Sequence, residues 1–316
     1  MESKKILFIS TFAILITVLF AIYYTPTIQV FGDSNSYWNG LSILKSRLNA
    51  TSLNSYSSLP FIGQGFALII IGPQKPFYAQ EIASIEQFLN TGGTLIIADN
   101  FGTGNQLISS LGLDSRFGNQ TVYDPVFSLG NPSIIYAFSS IKSIKNITLY
   151  YSTYLILGSN YKVIANSSIF SYININNTSV KYGPFPVIAY TNYGKGKVVL
   201  IATPYIWVNF FINGGNLELL DYIIQNETAI LDVSHWYVDT LTIFKEYEFL
   251  AYSILSTPFI KYSILIGSVA FIFLYKFEKS IMSKSDEIEK IIKENPDWDA
   301  ELIRRIKEER ENYGSK

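Results

Sequence analysis

Five residues with carboxylate, hydroxyl or amide side chains follow apolar runs that have the character of buried strands. They are Asp33, Ser34, Asn35, Asp99 and Asn100. Ligands of open α/β sheets bind beyond the carboxyl ends of the strands, so these side chains are predicted to share one polar ligand site. An alternative explains the same residue types, because Asp, Ser and Asn also cap helices and tighten turns.

The sequence lacks the side chains of a thiol nucleophile or a soft-metal site. The chain has no cysteine and one histidine, His235. The missing thiol excludes disulfides, thiolate metal sites and cysteine nucleophiles. A single histidine also argues against a histidine-rich metal site or a Ser-His-Asp hydrolase. We therefore expect no catalytic residue, no metal and no cofactor, and we expect His235, beside Trp236 and Tyr237, to be a packed side chain.

The segments around these positions alternate between apolar runs and amphipathic stretches. Continuous apolar runs predict strands buried on both faces, and apolar residues at helical spacing predict helices between them. Predicted strands cover 27–31, 66–71, 94–98 and a hairpin of 186–190 with 197–202, and predicted helices cover 41–48, 80–89, 105–111 and 216–224. This order predicts an open, mostly parallel α/β sheet of the flavodoxin-like type, with residues 120–183 as an inserted β-rich region.

Two apolar segments, residues 6–24 and 258–275, flank this domain, and each is long enough to cross a bilayer as a helix. Lysines precede the first segment and follow the second, which places both chain ends in the cytosol. A cleaved signal peptide and a buried core helix are the respective alternatives. The first segment is longer than a typical signal and lacks a small-residue cleavage site, which favours an anchor.

The predicted organisation is that of a two-pass protein of the cell membrane. Its parts are a cytosolic N-terminus (1–5), a transmembrane helix (6–24), an extracellular α/β domain (25–228), a membrane-proximal linker (229–257), a transmembrane helix (258–275) and a cytosolic helical tail (276–316).

Charge is concentrated in the predicted tail. Residues 276–316 hold 10 of the 24 Lys and Arg and 11 of the 25 Asp and Glu, whereas the net charge of the whole chain is −1. No basic face is indicated, so nucleic acid is not an expected partner. A mixed-charge helical tail fits either a solvated segment or a docking site for a cytosolic partner.

Acceptor motifs for N-glycosylation all lie between the two apolar segments. They begin at Asn49, Asn119, Asn146, Asn166, Asn176, Asn177 and Asn226. Their placement fits an exported surface, although an Asn-rich segment also produces such motifs by chance.

Three motifs carry a resemblance to a known family: ALIIIGP at residues 67–73, LNTGGTLIIAD at 89–99 and YGKGKVVLIATP at 193–204. Over roughly residues 27–235 the chain resembles the domain of unknown function 4350 family, which is related to the class I glutamine amidotransferase-like fold. The resemblance implies a degenerate enzyme, because the cysteine nucleophile of amidotransferases is missing. Residues 232–235 (DVSH) resemble an acidic–histidine segment of the family, with Val233 where a glutamate is usual.

The resemblance also implies an accessory role, because genes of this family often stand beside MoxR-type AAA ATPases. We therefore expect a non-catalytic binding or scaffold subunit of a cell-envelope complex, whose 276–316 tail engages a cytosolic ATPase. Two alternatives stay open at this point: an extracellular glycan- or ligand-binding receptor or ectoenzyme, and an auxiliary subunit of an ABC transporter.

Overall fold

The computed structural model describes the backbone of residues 2–25, 27–176 and 179–313. The described strands are β1 (Thr51–Leu53), β2 (Phe66–Ile71), β3 (Thr94–Ala98), β4 (Ser115–Phe117), β5 (Ile134–Ser139), β6 (Ile147–Tyr150), β7 (Leu155–Leu157), β8 (Lys162–Asn166), β9 (Tyr172–Asn176), β10 (Ser179–Tyr182), β11 (Pro186–Tyr193), β12 (Gly196–Ile201) and β13 (Thr228–Asp232). The described helices are α1 (Glu2–Tyr24), α2 (Ser42–Leu48), α3 (Ala79–Asn90), α4 (Gly104–Ser110), α5 (Gly215–Ile224), α6 (Thr240–Ser256), α7 (Pro258–Glu294) and α8 (Ala300–Tyr313).

A sheet of nine strands in the order β1-β13-β2-β3-β12-β11-β8-β5-β6 forms the centre of the α/β domain. The first five strands in this order run parallel to one another. β3 is buried throughout and β2 is buried from Ala67 to Ile71, as expected for strands covered on both faces. Burying each such large aliphatic side chain contributes roughly 1.5–3 kcal/mol, so these strands anchor the fold. The predicted mixed α/β architecture, with its largely parallel sheet, is therefore confirmed.

The other half of the sheet is antiparallel. β11 pairs with β12 and β8, and β5 pairs with β8 and β6. Most of these strands come from the β-rich region predicted at 120–183, which thus extends the main sheet. Two small antiparallel pairs, β4 with β7 and β9 with β10, complete the region.

The helices predicted between the strands are present at nearly the predicted positions. In α3 the apolar face of Ile85, Phe88 and Leu89 is buried, as its helical spacing requires. The predicted strand at 27–31 is absent, because the chain turns there: Phe31 has φ 60° and Gly32 donates back to the carbonyl of Gln29.

The predicted boundary at residue 228 falls inside the sheet. β13 lies between β1 and β2, and its residues 229–232 are buried. The α/β domain therefore extends beyond this boundary, to at least the buried Trp236. The sequence assigned these residues to a linker because they follow the last predicted helix.

The chain divides into two compact units, Met1–Lys245 and Glu246–Lys316. In the second unit α7 continues through the predicted end of the membrane segment into the tail. α8 begins at Ala300, because Asp299 accepts the amides of Glu301 and Leu302 and so caps the helix.

One helix in the described part of the chain, Pro258–Lys276, is long and apolar enough to span a membrane. In α1 the apolar stretch that the structure describes in full, Ser10–Tyr24, is shorter than a span requires. The structure thus supports membrane association at the second predicted segment, and the two-pass arrangement stays a prediction.

Candidate functional site

The carboxyl edge of the parallel strands is the place where this fold class binds ligands, and all five predicted site residues come from its loops. Asp33 does not face an open cleft. Its carboxylate accepts hydrogen bonds from Lys45 and, at 2.5 Å, from the Ser52 hydroxyl on β1. Burial favours a higher pKa for Asp33, but the hydrogen bonds from Lys45 and Ser52 and the charge of Lys45 outweigh it and lower the pKa.

Asp99 closes the turn between β3 and α4. Its carboxylate accepts three backbone amides, from Asn100 at 2.8 Å, Gly102 at 3.1 Å and Gly104 at 2.8 Å. Burial outweighs these three donors and raises the pKa of Asp99 to about 6. A Cβ at Gly104 would lie 2.6 Å from Asp99 Oδ2, so the turn requires glycine at this position.

Two of the three remaining predicted residues form hydrogen bonds within or between loops, and the third is exposed. Asn35 is buried and bonds to Gln29, Asn39 and the Tyr37 amide within its own loop. Asn100 donates to the carbonyl of Tyr151 at 3.0 Å. Ser34 is exposed. These contacts agree with the alternative in which Asp, Ser and Asn stabilise loops and turns and do not form a ligand site.

The two carboxylates share no partner in the structure. Asp33 is held at β1 and Asp99 follows β3, with β13 and β2 between those strands. Three strand spacings amount to about 14 Å, so the strand that contacts Asp33 and the strand that precedes Asp99 are well separated in the sheet. The shared polar cleft therefore gains no support.

A buried cluster that the sequence did not single out as a unit lies directly after β13. We call it the His235 cluster: Tyr56, Phe77, Glu81, Asp232 and His235. His235 Nδ1 lies 2.8 Å from Asp232 Oδ2, and His235 Nε2 lies 3.4 Å from Glu81 Oε2. Each ring nitrogen thus faces a carboxylate oxygen, and the side chain is only 3% exposed. Neither nitrogen is open to a substrate.

Aromatic rings enclose His235. Phe77 stacks on it with 3.8 Å between ring centroids, and Tyr56 meets it edge-on at 5.4 Å. Burial, followed by the charges of Asp232 and Glu81, raises the pKa of Tyr56 well above its ordinary value. The Tyr56 hydroxyl is close enough to Asp232 to feel that charge, yet no described group meets it at hydrogen-bonding geometry.

The cluster has serine, histidine and aspartate but not the arrangement of a hydrolase. Ser234 Oγ and Asp232 Oδ2 both approach the same ring nitrogen of His235, at 3.1 and 2.8 Å. In a catalytic triad the serine and the acid must lie at opposite nitrogens, because the histidine relays a proton between substrate and serine while the acid orients it. We therefore interpret the His235 cluster as a structural feature of the fold.

An aromatic cleft of about 430 Å³ opens among the loops at this carboxyl edge. We define it by the residues that line it: Trp38, Asn131, Ile134, Tyr150, Phe210 and Phe211. Phe210 donates its amide to the Trp38 carbonyl at 3.0 Å, which joins two loops far apart in sequence. The side chains of Trp38 and Phe210 are both more than half exposed.

A continuous row of rings connects this cleft to the end of β2. Successive centroid distances are 5.1 Å for Phe31–Tyr205, 5.1 Å for Tyr205–Tyr150 and 5.7 Å for Tyr150–Phe211. Phe31 packs against Gly72, directly after β2, where a Cβ would lie 2.6 Å from the ring. The row fixes the cleft rigidly to the sheet, and its mostly apolar lining suits binding through shape and ring stacking.

A second groove, of about 500 Å³, lies between α2 and the start of α5 and includes Arg47. The Arg47 guanidinium contacts Asp221 Oδ2 at 3.1 Å, so its charge is already paired. This groove offers less for ligand recognition than the aromatic cleft.

The predicted glycosylation sites differ in exposure. Asn49, Asn119, Asn146 and Asn226 are exposed, and Asn166 is partly buried at the end of β8. Asn177 lies outside the described residues, and so does the side chain of Asn176.

The family model described as Domain of unknown function (DUF4350) matches residues 33–224, which is more than half of the chain. No curated protein matches this sequence.

Several solved structures resemble the chain at low identity. The mmIFT52 N-terminal domain is 15% identical with a TM-score of 0.48, over 63% of this chain and 92% of that chain. A putative thua-like protein from Bacteroides uniformis is 14% identical with a TM-score of 0.33, over 54% and 73%. A beta-galactosidase from Bacillus circulans sp. alkalophilus is 12% identical with a TM-score of 0.32, over 51% of this chain and 23% of that enzyme. Similarity at this level carries no argument about activity or ligand.

Proposed function

The chain belongs to the DUF4350 family of domains of unknown function, and from this premise we propose that it is a non-catalytic, membrane-anchored binding subunit of a cell-envelope complex. The observation that carries the proposal is the aromatic cleft, which lies at the ligand-binding edge of the fold and is lined by four aromatic rings. Its lining holds no ionisable group except the Tyr150 hydroxyl, which suits retention of a ligand better than chemistry on it.

The absence of a cysteine nucleophile supports the non-catalytic part of this proposal. The sequence has no cysteine, and a fold of the amidotransferase type would need one at the turn after β3, where Asp99 accepts three backbone amides instead. The only histidine has both ring nitrogens against carboxylates. We interpret the domain as an amidotransferase-like sheet that has kept the scaffold without the reaction.

Membrane anchoring is supported by α7, which has the length and apolar character of a spanning helix between Pro258 and Lys276. On this proposal α1 is a second anchor, the α/β domain lies outside the cell and the charged tail lies in the cytosol. A MoxR-type AAA ATPase is the cytosolic partner that we propose for the 276–316 tail.

Affinity purification from membranes solubilised in mild detergent tests the scaffold role. Tagged full-length protein should retain an ATPase in stoichiometric amount, and a chain cut after Lys279 should lose it. A variant with Trp38→Ala and Phe210→Ala should keep the ATPase, because its tail is intact. Recovery of no stoichiometric partner with any of the three proteins contradicts the scaffold role.

A glycan-binding receptor is the second candidate, and the exposed rings of Trp38 and Phe210 favour it. Aromatic faces stack on the apolar faces of sugar rings, and the Asn131 amide at the rim could bond to a hydroxyl group. Isothermal titration of the full chain in nanodiscs with chitotriose and mannotriose tests this candidate. Binding that Trp38→Ala abolishes, and that the control Tyr222→Ala on α5 retains, would favour the receptor; no heat with either sugar would argue against it.

A further inference from the structure

The two segments that lead toward the proposed membrane helices are hydrogen-bonded to each other. Gln29 Nε2 donates to the Tyr237 carbonyl at 2.9 Å, and Gln29 Oε1 accepts the Asp239 amide at 2.8 Å. Thr27 and Thr242 are in hydroxyl contact at 3.3 Å, and Lys245 donates to the Thr25 carbonyl just past the end of α1. The chain therefore enters and leaves the α/β domain at one place.

That place is the carboxyl edge of the sheet. The Tyr237 amide donates to Gln74 Oε1 at 2.9 Å, and the amides of Gln74 and Lys75 both donate to the His235 carbonyl, at 2.8 and 3.0 Å. Gln74 and Lys75 lie in the loop that follows β2. On the other segment, Phe31 packs on Gly72 at the end of the same strand.

The same edge carries exposed aromatic side chains. They are Tyr37, Trp38, Phe101, Tyr151 and Phe210, each between 44% and 61% exposed. Phe101 follows β3, and the Tyr151 carbonyl accepts the Asn100 side chain beside it. Trp and Tyr are the residues that membrane proteins place at the lipid–water interface, because their rings are apolar and their tips are polar.

We propose that the carboxyl edge of the sheet faces the bilayer and that these five aromatic side chains contact the lipid headgroup region. The inference rests on the membrane anchoring in the proposed function. Five residues lie between Thr25, just past the end of α1, and Phe31, which packs at the end of β2. The six extended steps from Thr25 to Phe31 span at most about 20 Å. An edge tethered so closely at its entry, with its exit segment hydrogen-bonded to that same entry, has the bilayer as its nearest large surface.

This orientation deepens the proposed function by restricting the ligand. The aromatic cleft opens on the same edge, between Trp38 and Phe210. Its ligand is then a group presented at the membrane surface, such as the sugar of a glycolipid, and the amino edge of the sheet points away from the membrane.

Site-specific fluorescent labelling tests this orientation. Because the chain has no cysteine, a single introduced thiol is the only labelling site. Phe101→Cys places a fluorescent label on the proposed membrane-facing edge. Phe61→Cys is the matched control, because Phe61 is 74% exposed and its carbonyl accepts the Thr91 hydroxyl shortly before β3 begins, at the amino edge. Tyr151→Cys is a second reporter on the carboxyl edge, should Phe101→Cys fail to fold.

Each labelled full-length protein is placed in nanodiscs whose phosphatidylcholine carries a nitroxide on the headgroup. We expect strong quenching of the label at position 101 or 151 and none at position 61. Equal quenching at both edges, or quenching at position 61 alone, overturns the orientation while leaving the anchoring intact. Absence of quenching at all positions in protein that has entered nanodiscs also overturns it. Failure of the wild-type chain to enter nanodiscs refutes the anchoring and the orientation together.

Discussion

His235 Nδ1 lies 2.8 Å from Asp232 Oδ2, and both side chains are almost completely buried. Asp232 is the last residue of β13, and the His235 carbonyl accepts two amides from the loop after β2. The pair thus fastens the segment that leaves the sheet onto its neighbouring strand. That segment leads toward α7, so the Asp232–His235 pair fixes the point at which the chain leaves the α/β domain.

Removing the charge of Asp232 should destabilise the α/β domain strongly. We expect Asp232→Asn to lower the free energy of unfolding by about 2–3 kcal/mol, because it removes a buried carboxylate that lies against His235 Nδ1 and accepts the amide and hydroxyl of Ser234. Urea denaturation followed by tryptophan fluorescence measures the effect. The control is Asp221→Asn, whose partner Arg47 is exposed, and it should change stability by less than about 1 kcal/mol. Equal effects of the two substitutions would show that the Asp232–His235 contact contributes little to the stability of the domain.

Asp99 should make stability fall as pH rises. Burial raises its folded pKa to about 6 from an ordinary value of 3.8, so ionisation costs more in the folded protein than in the unfolded chain. The penalty is absent below pH 4, grows between pH 4 and 6, and is complete above pH 6. At about 1.4 kcal/mol per pKa unit, it reaches up to about 3 kcal/mol.

The measurement compares wild type with Asp99→Asn, which cannot ionise. The free energy of unfolding of wild type minus that of the variant should decrease between pH 4 and pH 7, since other titrating groups cancel in the difference. A difference that is constant or that grows with pH would mean that the three backbone donors outweigh burial.

Asn209 should be essential for the loop that carries Trp38. Its side chain accepts the Ile43 amide at 3.0 Å and donates to the carbonyls of Asn35 at 2.9 Å and Tyr37 at 2.6 Å. We expect Asn209→Ala to lower the free energy of unfolding by about 2–3 kcal/mol, because it leaves backbone groups of the loop without hydrogen-bond partners. Thermal unfolding measures this cost, and the exposed Asn213→Ala is the control. Stability equal to that of the control would show that water replaces the lost bonds.

Much of the sheet could be predicted from sequence because its central strands are continuous apolar runs. β2, β3 and β12 are each bounded by turn residues, and such short segments of almost continuous burial are typical of strands. The sequence did not predict β13, although this strand is buried. Its place between β1 and β2 depends on pairing with strands more than 150 residues away, and no local pattern encodes that position.

The candidate site was predictable only in its location. The sequence placed polar residues at the carboxyl ends of the strands, and the structure leaves Asp33 and Asp99 in separate local networks because two other strands lie between them. The aromatic cleft joins residues near positions 38, 131, 150 and 210, which only the folded chain brings together. Three adjacent aromatic pairs, Tyr37-Trp38, Tyr150-Tyr151 and Phe210-Phe211, were the signal that the sequence offered for the cleft.

Glycosylation offers a final prediction that tests the orientation of the whole chain. If residues 25–257 lie outside the cell, a host that N-glycosylates should modify the exposed Asn49, Asn119, Asn146 and Asn226, because loop asparagines are accessible to the transferase. Each Asn→Gln substitution should remove one glycan from the intact mass. Asn213→Gln is the matched control, since Asn213 is exposed but followed by two glycines, and it should leave the mass of the glycans unchanged. Protein that reaches the membrane without carbohydrate at any of the four positions would place the α/β domain on the cytosolic side.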